Sequence, residues 1–194
     1  HEVRAVWLTT IGGLDWPHSY AQSSASIEKQ KNELRSILDK LQHAGINLVF
    51  LQTRVRATTI FPSTKEPWNG CLSGKPGTSP GYDALAFAID ECHKRGMSVI
   101  IDWVANHTSW DNAWVLDHPD WYTQDSTGTV ISPEGTGWLD VADLNFDNQD
   151  MRLAMIVATK FWVNEAGVDG FRCDAADFVP FDFWKQAIDS LRSM

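Results

Sequence analysis

Residues 166–174, Ala-Gly-Val-Asp-Gly-Phe-Arg-Cys-Asp, contain the pattern that decides the fold: a glycine, a short link, an apolar run and a polar end. Residues 44–52 and 95–102 repeat this pattern. Glycine is favoured in the left-handed position just past a helix, and short apolar runs are typical of parallel strands covered on both faces. The repeat therefore predicts three such strands, and the apolar run at residues 3–8 predicts a fourth at the front.

Helical periodicity precedes each of the three glycines and also follows Pro180. The apolar positions are Leu34, Ile37, Leu38 and Leu41, then Leu85, Ala88, Ile89 and Cys92, then Leu153, Ile156, Val157 and Phe161, and finally Trp184, Ala187, Ile188 and Leu191. Each set lies on one face of a helix. Four strands that alternate with four helices indicate an α/β fold with a parallel sheet and right-handed crossovers.

Two long connections, residues 53–82 and 105–147, each follow a strand and precede a helix. In (β/α) barrels the loops after the strands build the active face. The predicted fold is therefore (βα)4, half of a TIM-type (β/α)8 barrel. An open doubly wound sheet is the main alternative, but no strand is followed by a glycine-rich phosphate fingerprint.

Composition favours one domain over residues 1–194, because 43% of the 194 residues are hydrophobic. The formal net charge is −9 without a basic run, which argues against nucleic acid and anionic membranes as partners. No apolar stretch has the length of a membrane span. The chain opens His-Glu-Val almost directly into a strand-like run, so we expect that an export signal could have been removed.

The polar residues that end the predicted strands are expected to point towards the active face: Gln52, Arg54, Asp102, Arg172 and Asp174. Arg172 and Asp174 are two apart on one strand, so their side chains should lie side by side. A nearby guanidinium favours the ionised carboxylate that a glycosyl nucleophile requires. Spacing alone supports an ordinary ion pair equally well.

Longer motifs favour the catalytic interpretation. Asp102-Trp-Val-Ala-Asn106-His107, Val141-Ala-Asp143-Leu-Asn145 and Gly170-Phe-Arg172-Cys-Asp174 resemble, in order, three motifs of the α-amylase family, glycoside hydrolase family 13, over about residues 96–194. The resemblance implies that Asp174 is the nucleophile and Arg172 its electrostatic partner in a hydrolase of α-linked glucans. His107 would contact the sugar, while Asp102 and Asn106 would brace the loop.

One departure follows the nucleophile: Asp177 and Phe178 stand where that family often has Lys-His, which bears on the leaving-group subsite. No cofactor is required. Asn106 and Asp143 are possible oxygen ligands for Ca²⁺, but two ligands are too few for a site. We predict no metal site.

The first half is similar to a different family. Residues 2–10, 47–62 and 66–83 resemble the bacterial glycosyl-hydrolase-like family 10, and this match covers about residues 1–97. Both families can share the phrase His93-Lys-Arg-Gly-Met97 before a third strand. We therefore predict a chimera, with two family-10-like βα units in 1–97 and two amylase-like units in 98–194.

A retaining glycosidase needs two carboxyls about 5 Å apart. In the α-amylase family the proton donor comes from the fifth strand, so we expect this chain to encode none. Glu134 and Asp140 are predicted to be solvated loop residues. An inert half-barrel scaffold that binds carbohydrate weakly is the alternative function, and a phosphate-handling barrel is a remote third. Unpaired strand edges predict a homodimer that completes eight strands.

Overall fold

The computed structural model describes residues 2–194, in which strands and helices alternate; His1, the first residue of the predicted domain, lies outside the described residues. In chain order the elements are β1 (Ala5–Leu8), α1 (Ser24–His43), β2 (Leu48–Leu51), β3 (Arg54–Val55), β4 (Thr58–Thr59), α2 (Gly70–Ser73), α3 (Ala84–His93), β5 (Ser98–Val104), β6 (His107–Ser109), α4 (Ala113–Asp117), β7 (Val141–Asp143), α5 (Gln149–Phe161), β8 (Gly170–Asp174) and α6 (Phe181–Arg192).

One sheet has the strand order β1-β2-β5-β8, and its pairs β1–β2 and β2–β5 are parallel. The α/β fold and its four predicted strand–helix repeats are confirmed, because α1, α3, α5 and α6 follow the four strands in turn. The glycines that end the repeats behave as predicted: Gly45, Gly96 and Gly167 have φ values of 79°, 70° and 75°. Other residues would be strained at these φ values, whereas glycine adopts them readily. The chain can therefore leave each helix in a single step and enter the next strand.

The two faces of the sheet differ in burial. Leu8, Val49 and Val99 are almost completely buried, as are Leu34 on α1 and Leu85 on α3. On the opposite face, Trp7 remains 48% exposed and its ring stacks on that of Phe50 at 4.7 Å. Strand side chains alternate between the faces. The expectation that both faces are covered is therefore wrong for this part of the sheet, although both faces are apolar in sequence.

The structure divides into two compact units. The first contains the residues up to Asp102 together with Val163–Arg172, and the second contains Trp103–Trp162 and Cys173–Met194. The core of the second unit includes Tyr122, Leu144, Met151 and Phe183. These boundaries do not coincide with the predicted division after residue 97. The single domain over residues 1–194 stays a prediction.

A buried ion-pair network lies at the end of α3 in the first unit. The Glu91 carboxylate is almost completely buried and accepts hydrogen bonds from Arg95 Nη1 at 2.8 Å and from Lys94 Nζ at 3.1 Å. Arg35 Nε lies 3.4 Å from the same carboxylate. Burial by itself would raise the pKa of Glu91, but the hydrogen bonds from Arg95 and Lys94 outweigh it and lower this pKa to about 2.

Within residues 2–194, no helix is both long enough and apolar enough to cross a lipid bilayer.

Candidate active site

Two predicted site residues form an ion pair in the first unit. Arg172 Nη1, on β8, donates to both carboxylate oxygens of Asp102, on β5, at 3.1 and 3.2 Å. Both side chains are 41% exposed. A pair this open to water adds about 1 kcal/mol or less to stability. Asp102, which was predicted to brace the following loop, therefore also orients the guanidinium of Arg172.

The polar residues after β2 have structural partners. The Gln52 side-chain oxygen accepts hydrogen bonds from the backbone N–H groups of Thr10 and Ile11, both at 2.9 Å. The amide oxygen of Gln52 therefore fixes the loop after β1, and the orientation of Gln52 towards the active face stays a prediction. Arg54 Nε donates to both carboxylate oxygens of Glu66, at 2.7 and 2.8 Å. The substrate-binding role of Arg54 stays a prediction, and Glu66 restrains its guanidinium.

In the second unit His107 lies on β6, which pairs with β7 in antiparallel orientation and places His107 opposite Asp143. Burial lowers the pKa of His107, while the negative charges of Asp140, Asp143 and Asp174 act in the opposite direction. The carboxylate of Asp174, at the end of β8, therefore lies within electrostatic range of His107. The charge of the predicted nucleophile thus acts on the predicted sugar contact, as the smallest of these contributions.

Two aromatic side chains, Trp138 and Phe178, lie in contact in the second unit, and Trp138 also contacts His107. The Trp138 ring lies edge-on to His107, with centroids 5.5 Å apart, and Phe178 lies 5.3 Å from Trp138. Phe178 is 48% exposed, so part of its ring faces solvent. Sequence reasoning noted Phe178 only as a departure after the nucleophile and missed Trp138. No motif marks Trp138, but an aromatic residue three positions before the Val141-Ala-Asp143 strand was a usable signal.

The carboxyls of the long third loop differ in environment. Glu134 and Asp140 are exposed, which agrees with the prediction that they are solvated. Asp143 is different, because burial raises its pKa. A hydrogen bond from the Thr123 side chain and the charge of His107 lower the same pKa but do not outweigh burial.

The two possible Ca²⁺ ligands, Asn106 and Asp143, differ in their surroundings. Asn106 is only 3% exposed, and its Nδ2 lies 3.5 Å from Nδ1 of His107. Burial disfavours the ionised form of Asp143 that a hard cation needs. In the described part of the chain, no three His, Cys, Asp or Glu side chains gather as a metal-binding group. The buried Asn106 is suited instead to the predicted bracing of the loop.

A match to a known family covers all of the candidate site residues described above. The sequence profile described as "Glycosyl hydrolase-like 10" matches residues 2–181. The chain belongs to the glycosyl hydrolase-like 10 family. This family match extends well past residue 97, where we expected it to end. The predicted chimera and its join at residues 93–97 therefore stay a prediction without support from the profile.

Individual relatives agree with both resemblances. Glycosyl hydrolase DigH of Escherichia coli (strain K12) is 42% identical over 101 residues, which cover 50% of this chain and 23% of that protein. Alpha-amylase 3 of Dictyoglomus thermophilum is 28% identical over 205 residues, covering 91% of this chain and 39% of that protein. The chain thus spans less than half the length of these relatives.

A solved structure is also similar. The noncanonic maltogenic alpha-amylase AmyB from Thermotoga neapolitana has a TM-score of 0.67 and 28% identity, with 97% of this chain and 42% of that chain covered. The resemblance of this glycosyl hydrolase-like 10 chain to α-amylase-type glycoside hydrolases is confirmed.

The electrostatic effect of Asp174 on His107 makes a direct prediction. Replacing Asp174 by Asn should lower the pKa of His107 further, because it removes a negative charge that stabilises the imidazolium. Titration of the His107 ring protons by NMR measures this shift. Asp177→Asn is the matched control, since it removes an exposed carboxylate three residues along. An unchanged His107 pKa in Asp174→Asn would contradict the geometry of the site.

Proposed function

We propose that this chain carries the nucleophile of an α-amylase-like glycoside hydrolase that cleaves α-linked glucans by double displacement. Asp174 would attack the anomeric carbon and form a glycosyl ester while the bond to the glycosidic oxygen breaks and that oxygen takes a proton from water; a second water would then hydrolyse the ester and release the sugar. The observation that carries the proposal is the position of Asp174, exposed at the end of β8 and acting electrostatically on His107. The amylase relatives support the substrate class, and carbohydrate is the proposed partner.

Each neighbour has a role in this proposal. Because burial lowers the pKa of His107, its imidazole is neutral near pH 7 and can donate one hydrogen bond and accept another from sugar hydroxyls. Arg172, oriented by Asp102, keeps a positive charge on the strand that bears the nucleophile. Trp138 and Phe178 offer ring surfaces on which a sugar can pack. The buried Asn106 would brace the loop that follows β5.

We also propose that none of Glu134, Asp140 and Asp143 is an efficient proton donor. Glu134 and Asp140 are exposed, and Asp143 is held by Thr123 and opposite His107. A general acid contributes about 10²- to 10⁴-fold. Purified chain should therefore hydrolyse starch orders of magnitude below the enzyme median of about 10 s⁻¹. A reducing-sugar assay at or above that turnover would contradict this proposal, and loss of the activity in Asp143→Asn would then identify the acid.

The alternative function is an inert half-barrel scaffold that dimerises. Two observations favour dimerisation: β1 and β8 are the edges of the described sheet, and the Trp7–Phe50 face is open to water. Exposed strand edges and apolar faces are sites of association. Two copies related by a two-fold axis would pair β1 of each with β8 of the other and close eight strands.

Light scattering tests the dimer. At micromolar concentration the measured mass should be twice that of one 194-residue chain. Trp7→Glu places a charge on the open face and should shift the equilibrium towards monomer. Leu116→Glu is the control, because Leu116 on α4 is 86% exposed. A chain that stays monomeric well above micromolar concentration would overturn the closure.

A further inference from the structure

A separate cleft of about 440 Å³ lies in the first unit, between the loop after β1 and the segment around α2. Its size falls in the range of about 300–1,000 Å³ that is typical of small-molecule pockets. Four glycines contribute to its lining (Gly12, Gly13, Gly70 and Gly74), together with the rings of His18 and Tyr20. Neither Asp174 nor any other predicted site residue lines it.

Both nitrogens of the His18 ring are held by contacts with the protein. Nδ1 contacts the carboxylate of Glu33, and Nε2 lies 3.3 Å from the backbone oxygen of Leu14. Both partners are hydrogen-bond acceptors, so both ring nitrogens donate. The hydrogen bond to Glu33, helped by that to Leu14, raises the pKa of His18. Since both nitrogens are engaged and the side chain is 58% exposed, His18 offers mainly its flat ring face to a ligand.

The Tyr20 ring is also backed by the protein. It is 57% exposed and packs against Gly74, where an added Cβ would come within 3.0 Å of the Tyr20 ring atoms Cγ and Cδ2. Gly74 also has a φ of 83°, which a side chain would strain. Glycine at this position therefore lets the ring lie close to the backbone, and the exposed part of the ring remains available.

The charges near the cleft select a neutral ligand. When His18 is protonated, the carboxylate of Glu33 beside it balances its charge. Hydrogen bonds from Thr9 lower the pKa of Asp15, whose negative charge also acts on His18. Cys71 is not a reactive group here, because burial raises the pKa of its thiol to about 11. Among the described residues that line the cleft, His18 is the one titratable base, and Glu33 pairs with it, so the lining offers an anionic ligand no unpaired cation.

We propose that this cleft binds one pyranose ring of a neutral oligosaccharide, with the C–H face of the sugar against Tyr20 and His18. At Gly12 and Gly13 an added Cβ would meet nothing within 4 Å, so the backbone there is open to the sugar hydroxyls, which suits a ligand rich in hydrogen-bonding groups. The inference deepens the proposed function by adding a second sugar contact, and it rests on that function only for the choice of a glycan as ligand.

Calorimetric titration of the 194-residue chain with maltoheptaose and with cellohexaose tests this assignment. At least one should bind, and Tyr20→Ala should weaken its binding by about tenfold or more, which corresponds to about 1.4 kcal/mol. Tyr20→Phe keeps the ring and should bind as the unaltered chain does. Leu14→Ala is the matched control, because this 68% exposed side chain is in the same loop outside the lining.

NMR of chain with labelled tyrosine gives a measurement that needs no variant. Of the 3 tyrosines, Tyr20 should show the largest shift on addition of the sugar, whereas Tyr122, only 1% exposed, should not move. No binding of either sugar, equal affinity in Tyr20→Ala, or an unshifted Tyr20 would each overturn the cleft site. The Tyr20 signal reports on the cleft alone, whereas the chemistry of Asp174 is measured by hydrolysis, so failure of the cleft and failure of the proposed function are distinguishable.

Discussion

Replacing Asp174 by Asn should reduce the release of fluoride from α-glucosyl fluoride by at least about 10³-fold, the scale on which loss of a catalytic nucleophile acts. Asparagine has the shape of the carboxylate but cannot form the glycosyl ester. Fluoride is a good leaving group that needs little protonation, so this substrate reports on the nucleophile even when general-acid catalysis is weak. A fluoride electrode follows the reaction directly.

The unfolding free energy should change little in the same variant. Asp174 is exposed, and substitutions at such positions usually change stability by about 0.5 kcal/mol or less. Asp189→Asn, which removes an exposed carboxylate on α6, is the control and should retain the activity. Full fluoride release by Asp174→Asn would remove Asp174 from the chemistry. A lowered melting temperature without activity to lose would favour the scaffold.

The second large effect concerns stability. Glu91→Gln should lower the unfolding free energy by roughly 3 kcal/mol at neutral pH. The pKa of Glu91 falls from 4.5 to about 2 on folding, and each pKa unit corresponds to about 1.4 kcal/mol. Removing one partner of a buried ion pair costs a similar amount, about 3–5 kcal/mol, because the other charge stays buried. Here Arg95 would lose this partner and keep Asp39, at 2.7 Å.

The pH dependence has a definite sign. A depressed carboxylate pKa contributes stability above pH 4.5, and this contribution is lost as the pH falls through about 2. Chemical denaturation of Glu91→Gln should therefore depend less on pH in this window than that of the unaltered chain. Asp90→Asn is the control, because Asp90 is 59% exposed in its pair with Lys94 and should cost under about 1 kcal/mol. Equal losses in the two variants would contradict the network.

Local patterns were sufficient to predict the four strands of the main sheet and the four helices that follow them, whereas the short elements β3, β4, β6, β7, α2 and α4 were not predicted. The apolar spacing of α1, α3, α5 and α6 and the glycines that follow three of them depend on neighbours in sequence. The position of Asp174 at the end of β8 followed from the same pattern. Motif resemblance then supplied the chemistry that spacing alone left undecided between a nucleophile and an ion pair.

Contacts between distant segments were not predictable in this way. The ion pair of Arg172 with Asp102 joins residues 70 positions apart in sequence. The hydrogen bond from Thr10 in the loop after β1 to Gln52 joins residues 42 positions apart. Trp138 reaches His107 because β6 pairs with β7 across the long third loop, whose path no periodic pattern specifies. The open Trp7–Phe50 face was also hidden, because an apolar run does not reveal how much protein covers it.

The central claim is that Asp174 forms a covalent bond to sugar, and trapping that intermediate tests it most directly. The chain would be incubated with an α-glucosyl fluoride that carries a second fluorine on the ring, which slows hydrolysis of the glycosyl-enzyme. Mass spectrometry of the digested protein should then find one added sugar on Asp174, and none in the Asp174→Asn chain. An unlabelled protein, or a label on another carboxyl such as Asp143, would contradict the account.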